Sequence, residues 1–74
     1  MNFKAAAREL LLEVGRPLHY GDITELALEP GYLAGAGRMP QSTMRARLSV
    51  DVRDNPDTSF VQTAPGVYGL KGMN

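Results

Sequence analysis

The sequence has no cysteine, no tryptophan and a single histidine, His19. The lack of cysteine excludes a disulfide scaffold and a cysteine-based zinc site, and one histidine cannot form a histidine-rich metal site from this chain alone. No apolar run approaches the roughly 18 residues that a membrane span needs, and residues 1–8 are charged rather than signal-like. We therefore expect a soluble domain that suits a reducing cytosol, with no metal, no cofactor and no membrane association.

The chain also lacks net charge, because its 74 residues carry eight Lys plus Arg against eight Asp plus Glu. This length leaves room for one small domain, which we expect to span residues 1–74. Its hydrophobic residues, 43% of the total, must then share one core. Zero net charge argues against nucleic-acid binding by bulk attraction. Such a function would require charge segregated onto one face.

Apolar residues at three- and four-residue steps predict a first helix over residues 3–14. Asn2 can cap this helix, because its side-chain oxygen can accept from the free amides of the first turn. Gly15 can supply the left-handed residue that ends it. Pro17 prevents continuation, so residues 17–19 should form a short extended step.

Two further helices are predicted, over residues 20–29 and 40–53. Pro30-Gly31 ends the second helix, a glycine-rich loop follows, and Pro40 opens the third. The residues expected to face inward are Ile23, Leu26 and Ala27 in the second helix and Met44, Leu48 and Val52 in the third. The third helix should expose Gln41, Ser42, Arg45 and Ser49 on its opposite side.

After a turn at residues 54–57, two short strands are predicted, over residues 59–63 and 67–70. The intervening Ala64-Pro65-Gly66-Val67 has proline and glycine where a type II turn requires them. The whole order predicts a mainly α fold with a small β-hairpin. This is the winged helix-turn-helix, a three-helix core plus a two-stranded wing, with the third helix as recognition helix.

Dividing the charges by segment shows what their sum conceals. Residues 1–37 have a net charge of minus two, residues 38–53 plus three and residues 54–74 minus one. The basic segment carries four arginines against Asp51, and the planar guanidinium pairs well with phosphates and with guanine edges. A basic helix face can also be a solvated surface that merely balances the acidic first half. The winged-helix order favours the functional interpretation, because this helix enters the major groove in such folds.

Catalysis has little support in the sequence. His19 has no cysteine or nearby serine to activate, so we expect it to have a structural or capping role. The carboxylate pairs Glu9 with Glu13 and Asp51 with Asp54 are typical of a hydrated surface and make a weak metal-site signal. Residues 35–38 lack the ending and the preceding strand of a phosphate-binding loop. We predict no catalytic residue, no metal ligand and no enzymatic activity.

Several short motifs, in their order and spacing, resemble those of one family. They are Ala6-Ala7 with residues 10–15, Pro17-Leu18-His19-Tyr20, Gly37-Arg38-Met39-Pro40 and Gly66-Val67-Tyr68-Gly69-Leu70. Together they resemble the HARE-type helix-turn-helix family, winged helices of restriction endonucleases, additional-sex-combs-like chromatin regulators and the delta subunit of bacterial RNA polymerase. Met39 departs from the capping threonine usual in the family, and Ser49 stands where an aromatic residue commonly follows the helix leucine.

The resemblance implies a DNA-binding module attached to an effector such as a nuclease or a chromatin complex. The similar domain of the polymerase subunit contacts protein instead. We therefore predict a double-stranded DNA-binding module, cytoplasmic and nucleoid-associated in a bacterium. The alternative is a protein-interaction module that docks on RNA polymerase or another acidic partner. The predicted DNA-binding residues are Arg38, Gln41, Ser42, Arg45, Arg47, Ser49, Arg53 and Lys71.

Overall fold

The computed structural model describes residues 2–33 and 37–73. The elements are α1 (Phe3–Val14), β1 (Leu18–His19), α2 (Tyr20–Leu28), α3 (Pro40–Asp54), β2 (Phe60–Ala64) and β3 (Val67–Leu70). Gly35 and Ala36, which belong to the predicted glycine-rich loop, lie outside the described residues. No helix in the described ranges is both long and apolar enough to cross a lipid bilayer.

The predicted bounds of α1 are confirmed, and so are the signals at both of its ends. The Asn2 side-chain oxygen accepts a hydrogen bond from the Ala5 amide at 2.7 Å. Gly15 has φ +78°, a left-handed conformation in which glycine has no Cβ to clash, and its amide donates to the Leu11 carbonyl.

One prediction for α2 is wrong. Ile23 and Ala27 are fully buried, but Leu26 is 36% exposed, and Thr24 occupies the inward position instead. Leu26 is rotated by about 100° from Ala27 around the helix, which turns it towards solvent. The Thr24 hydroxyl donates to the Tyr20 carbonyl at 2.8 Å, so its burial leaves no polar atom unpaired. The helix ends at Leu28, one residue before the predicted bound.

The inward face of α3 contains one charged residue that was predicted to be on the surface. Met44 and Leu48 are fully buried, as predicted, and Val52 is half-buried. Asp51 is also buried, at 8% exposure, so its assignment to a hydrated surface is wrong. Met39 makes no side-chain cap at the start of the helix, in agreement with the loss of the family threonine.

The extended step after α1 becomes a third strand beside the predicted hairpin. The sheet is antiparallel, with the order β1-β3-β2. Leu18 pairs with Tyr68, and Phe60 pairs with Leu70. Gly66 has φ +75°, in accord with the third position of a type II turn. Tyr68 and Leu70 are buried against the helices, and they close the core that α1, α2 and α3 share.

This arrangement confirms the winged helix-turn-helix fold. The β2–β3 hairpin, called the wing below, covers one end of the three-helix core. The core residues are Ala6, Ala7, Leu10, Leu11, Leu18, Ile23, Ala27, Leu33, Met44, Leu48, Phe60, Tyr68 and Leu70.

Candidate nucleic-acid interface

The outer face of α3 carries most of the side chains predicted to contact DNA. Those that are exposed on the helix or just before it are Arg38, Gln41, Ser42, Arg45, Arg47 and Arg53. Pro40 and the buried seam of Met44 and Leu48 fix the helix orientation, because residues three and four positions apart share a face. The structure therefore exposes arginines on two sides of α3, because Arg47 lies about 200° around the helix from Arg45.

Three of the four arginines are electrostatically available. Across residues 2–33 and 37–73, Arg38, Arg45 and Arg47 form no salt bridge. Arg53 differs, because its Nε and Nη2 donate to the two Asp54 oxygens at 3.0 and 3.1 Å. This pairing raises the pKa of Arg53 and lowers the pKa of Asp54. The Asp54 carboxylate offsets much of the field that Arg53 would offer to a phosphate.

Gln41 is held by a carboxylate of α2. Its Nε2 donates to Glu25 Oε1 at 3.0 Å. Glu25 thus lies beside the first turn of α3, where it shares a shallow depression with Arg38, Met39 and Ser42. Gln41 would have to exchange this bond for a base edge when it binds DNA. Glu25 was not among the predicted site residues, because the contact joins residues 16 positions apart and no local pattern indicates it.

Tyr20 is a second residue of this surface that was not predicted from the sequence. The Arg45 guanidinium carbon lies 6.0 Å from the centroid of the Tyr20 ring, at the outer limit of a cation–π contact. The His19 and Tyr20 ring centroids are 4.2 Å apart. An aromatic residue at the start of α2 was the available signal, but only the packing of α2 against α3 brings it to Arg45.

The wing turn packs against His19 and Tyr20. The Tyr20 amide donates to the Gly66 carbonyl at 2.9 Å. A Cβ on Gly66 would lie 3.1 Å from His19 Nε2 and 3.3 Å from Tyr20 Cε2, so glycine permits this close approach. The start of α2, the wing turn and Arg45 therefore form one continuous surface, which we call the recognition surface (His19, Tyr20, Gln41, Arg45 and Gly66).

His19 has the capping role expected from the sequence. Its Nδ1 accepts from the Gly21 amide at 3.0 Å, so the ring nitrogen satisfies a free donor in the first turn of α2. The lone pair of Nδ1 is engaged in the cap.

Of the remaining predicted residues, Ser49 adjoins Arg45 on α3, whereas Lys71 lies apart from the recognition surface. The Ser49 hydroxyl donates to the Arg45 carbonyl at 2.7 Å, and the residue is half-buried. Lys71 follows β3 at the end opposite the wing turn, where it lines a depression with Arg8 and Leu12 of α1. The structure therefore brings Ser49, but not Lys71, together with Arg45.

Asp51 joins three parts of the chain through hydrogen bonds. Lys4 Nζ, Thr58 Oγ1 and Asn55 Nδ2 donate to its carboxylate at 3.0, 2.5 and 3.2 Å. The Thr58 bond, with those of Lys4 and Asn55, lowers the pKa of Asp51 although burial opposes the shift. Among the described residues, no group of three or more His, Cys, Asp or Glu side chains could hold a metal ion. The three hydrogen bonds give Asp51 a structural role.

Comparison with known proteins agrees with this geometry. The model of the HARE-HTH family, whose description includes the ASXL and restriction endonuclease HTH domain, matches residues 1–73. Neither the curated proteins nor the solved structures gave a match to this chain. The family is a DNA-binding helix-turn-helix family and not a catalytic one. With its three helices, its wing and this match over nearly its whole length, the chain belongs to the HARE-type helix-turn-helix family.

Proposed function

We propose that the domain binds double-stranded DNA by placing the exposed face of α3 in the major groove. The observation that carries this proposal is the position of Arg38, Arg45 and Arg47, three exposed guanidinium groups without a salt bridge in the described chain. They lie on, or just before, the helix that enters the groove in helix-turn-helix proteins. The docked wing turn adds a second element beside Tyr20, whose ring centroid lies 6.0 Å from the Arg45 guanidinium carbon.

The proposed contacts follow from side-chain chemistry. Arg45 and Ser42 would contact base edges, and Gln41 would read adenine once it releases Glu25. Arg38 and Arg47 would bind phosphates, as would Arg53 after its separation from Asp54. The remaining predicted residues would contribute at the periphery, where Ser49 must release the Arg45 carbonyl and Lys71 must reach past the base of the wing.

The domain would direct an effector protein to DNA. We propose that residues 1–74 form one domain that brings an attached or associated nuclease, transcription factor or chromatin factor to DNA, in the cytoplasm or nucleoid. Three phosphate contacts from one neutral domain give weak binding at physiological salt. The other contacts of the effector would then supply the remaining affinity, since linked binding sites act with a high effective concentration.

A titration of duplex DNA with the labelled domain tests the proposal. We expect the double variant Arg38→Ala with Arg45→Ala to lower affinity at least about tenfold at low salt, since it removes two charge-assisted contacts. Arg16→Ala is the matched control, because Arg16 is an exposed arginine after α1 and should leave affinity unchanged. Fluorescence anisotropy provides the measurement.

The same titration separates the alternative function. The zero net charge of the chain is compatible with a protein-interaction module that docks through α3 and the wing on RNA polymerase or another acidic partner. Undetectable DNA binding at low salt, or equal losses in the double variant and in the Arg16 control, would reject the DNA proposal. Either result would leave the protein-interaction function as the candidate.

A further inference from the structure

A second basic surface lies on the side of the domain formed by α1 and the end of β3. It begins as a groove of ≈ 280 Å³ lined by Arg8, Leu12, Ser59, Leu70 and Lys71. A depression of ≈ 350 Å³ continues it along Leu12 to Gly15 and Met73. None of the described residues of α2 or α3 lines either part. We call these joined depressions the α1–β3 groove.

The floor and one wall of the α1–β3 groove are apolar. Leu12 is 54% exposed, whereas Leu70 is only 8% exposed and Met73 packs against the core from the surface. A single exposed leucine is ordinary on a protein surface. Here, however, Leu12 adjoins apolar side chains that are continuous with the core, so a partner covering it would remove a contiguous apolar area from water.

The rims of the α1–β3 groove are basic. Arg8 precedes Leu12 by one helical turn, and Lys71 lies across the groove. Lys71 forms no salt bridge within the described ranges, and the Arg8 guanidinium meets only the exposed Glu9, at 3.9 Å. An exposed ion pair at this distance contributes little and can be exchanged for a better partner.

The nearby carboxylate of Glu13 faces another way. Its Oε1 accepts a hydrogen bond from the Tyr32 hydroxyl at 2.7 Å, on the side of α1 that meets the segment after α2. The groove therefore combines an apolar floor with two cations whose charge no strong ion pair offsets. This combination is complementary to a chain that carries both leucine-like and acidic side chains.

We propose that the α1–β3 groove docks an acidic amphipathic segment of a partner protein. Apolar side chains of that segment would cover Leu12, and its carboxylates would pair with Arg8 and Lys71. A DNA backbone fits less well, because phosphates and sugars offer little to an exposed leucine beside an apolar floor. The groove shares only Lys71 with the proposed DNA contacts, so the partner can cover Arg8, Leu12 and the apolar floor while α3 binds DNA.

Two synthetic peptides test this assignment. Both carry leucine at helical spacing, and all other positions are glutamate in one peptide and lysine in the other. In amide NMR spectra of the whole domain, the glutamate peptide should shift Leu12, Gly15, Lys71 and Gly72. It should bind at least about tenfold more tightly than the lysine peptide. Leu12→Ser and Arg8→Glu should each weaken binding of the glutamate peptide about tenfold.

Val50→Ser is the matched control, because Val50 is also exposed, at 47%, but lies on α3. It should leave peptide binding unchanged. Equal affinity for both peptides, shifts centred on α3, or unchanged binding in Arg8→Glu would overturn the proposal. Shifts of the Leu12 and Gly15 amides by duplex DNA would also overturn it, because they would show that DNA occupies the groove floor. Thermal unfolding checks that each variant is folded. If Leu12→Ser does not fold, the binding measured for Arg8→Glu decides the test.

Discussion

At the scale of single residues, two carboxylates have opposite relations to the proposed function. Asp51 is buried and accepts three hydrogen bonds, so it holds the ends of α1 and α3 to the start of β2. Glu25 is exposed and lies at the first turn of α3, where a phosphate would approach. One acidic residue stabilises the fold, and the other reduces the attraction for DNA.

Replacing Glu25 should strengthen DNA binding. Glu25→Gln removes a negative charge beside Arg38 and Gln41, while its amide oxygen can still accept the Gln41 hydrogen bond. We expect affinity to rise about two- to fivefold at low salt, with a smaller gain at high salt because the charge is exposed. Anisotropy titrations measure the change. Asp57→Asn, an equal charge change in the turn after α3, should give a smaller gain, and an equal gain would show that only net charge matters.

Replacing Asp51 should destabilise the fold. Asp51→Asn weakens hydrogen bonds to a charged acceptor, so the free energy of unfolding should fall by about 2 kcal/mol at neutral pH. Urea unfolding monitored by circular dichroism gives this value. Asp57→Asn is the control, because its exposed carboxylate has no side-chain partner among the described residues. A similar loss in both variants would contradict the structural role of Asp51.

The difference in stability between the parent protein and Asp51→Asn should depend on pH with a defined sign. The folded protein holds the pKa of Asp51 below its ordinary value, so the carboxylate stabilises the fold above the unfolded pKa of about 3.9. That stabilisation is lost as the pH falls through the lower, folded pKa. The gap between the parent protein and Asp51→Asn should therefore be constant from pH 7 to about pH 5 and shrink below about pH 4.

At the scale of secondary-structure elements, the wing turn and the start of α2 act as one unit. Gly66 approaches His19 and Tyr20 closely enough that any Cβ would press on both rings. Gly66→Ala should lower the free energy of unfolding by about 1–2 kcal/mol from its left-handed backbone alone, and the ring contacts should add to this. DNA affinity should fall as well, because the wing turn would move away from Tyr20, the residue that Arg45 approaches.

Gly72→Ala separates the two causes. Gly72 also has a left-handed φ, of +81°, but a Cβ there would meet nothing within 4 Å. This variant should lose stability through backbone strain only and keep its DNA affinity. If Gly66→Ala and Gly72→Ala lose equal stability and bind DNA equally well, the ring contacts at Gly66 contribute neither to stability nor to DNA affinity. Thermal unfolding and anisotropy titrations supply both measurements.

The elements also show which local signals were sufficient. Asn2, Gly15 and Pro17 determine the ends of α1 through contacts within a few residues, so the sequence predicted that helix correctly. The type II turn at Gly66 is equally local. Residues 18–19 became a strand only because β3 offers its free edge to them, and a two-residue strand has no periodicity of its own.

At the scale of the whole molecule, the zero net charge should limit the affinity of the proposed DNA binding. The three proposed phosphate contacts, from Arg38, Arg47 and Arg53, give a salt slope of about −2.7 for log affinity against log salt, at roughly 0.9 per contact. The Arg38→Ala with Arg45→Ala variant removes one of these phosphate contacts and should reduce the slope to about −1.8. Titrations at four or more salt concentrations measure it, and a slope near zero in the parent domain would contradict an interface built on these arginines.

The sequence alone determined the order of elements, the family resemblance and the concentration of arginine on the third helix, because these depend on neighbouring residues and local periodicity. Tertiary structure decided which of those charges are available. Asp54 pairs with Arg53, Glu25 holds Gln41, and Tyr20 lies beneath Arg45. Two of these contacts join different helices, and the Asp51 network connects residues up to 47 positions apart. The interhelical contacts and the Asp51 network form only when packing brings distant segments together, and no pattern along the chain encodes their distances.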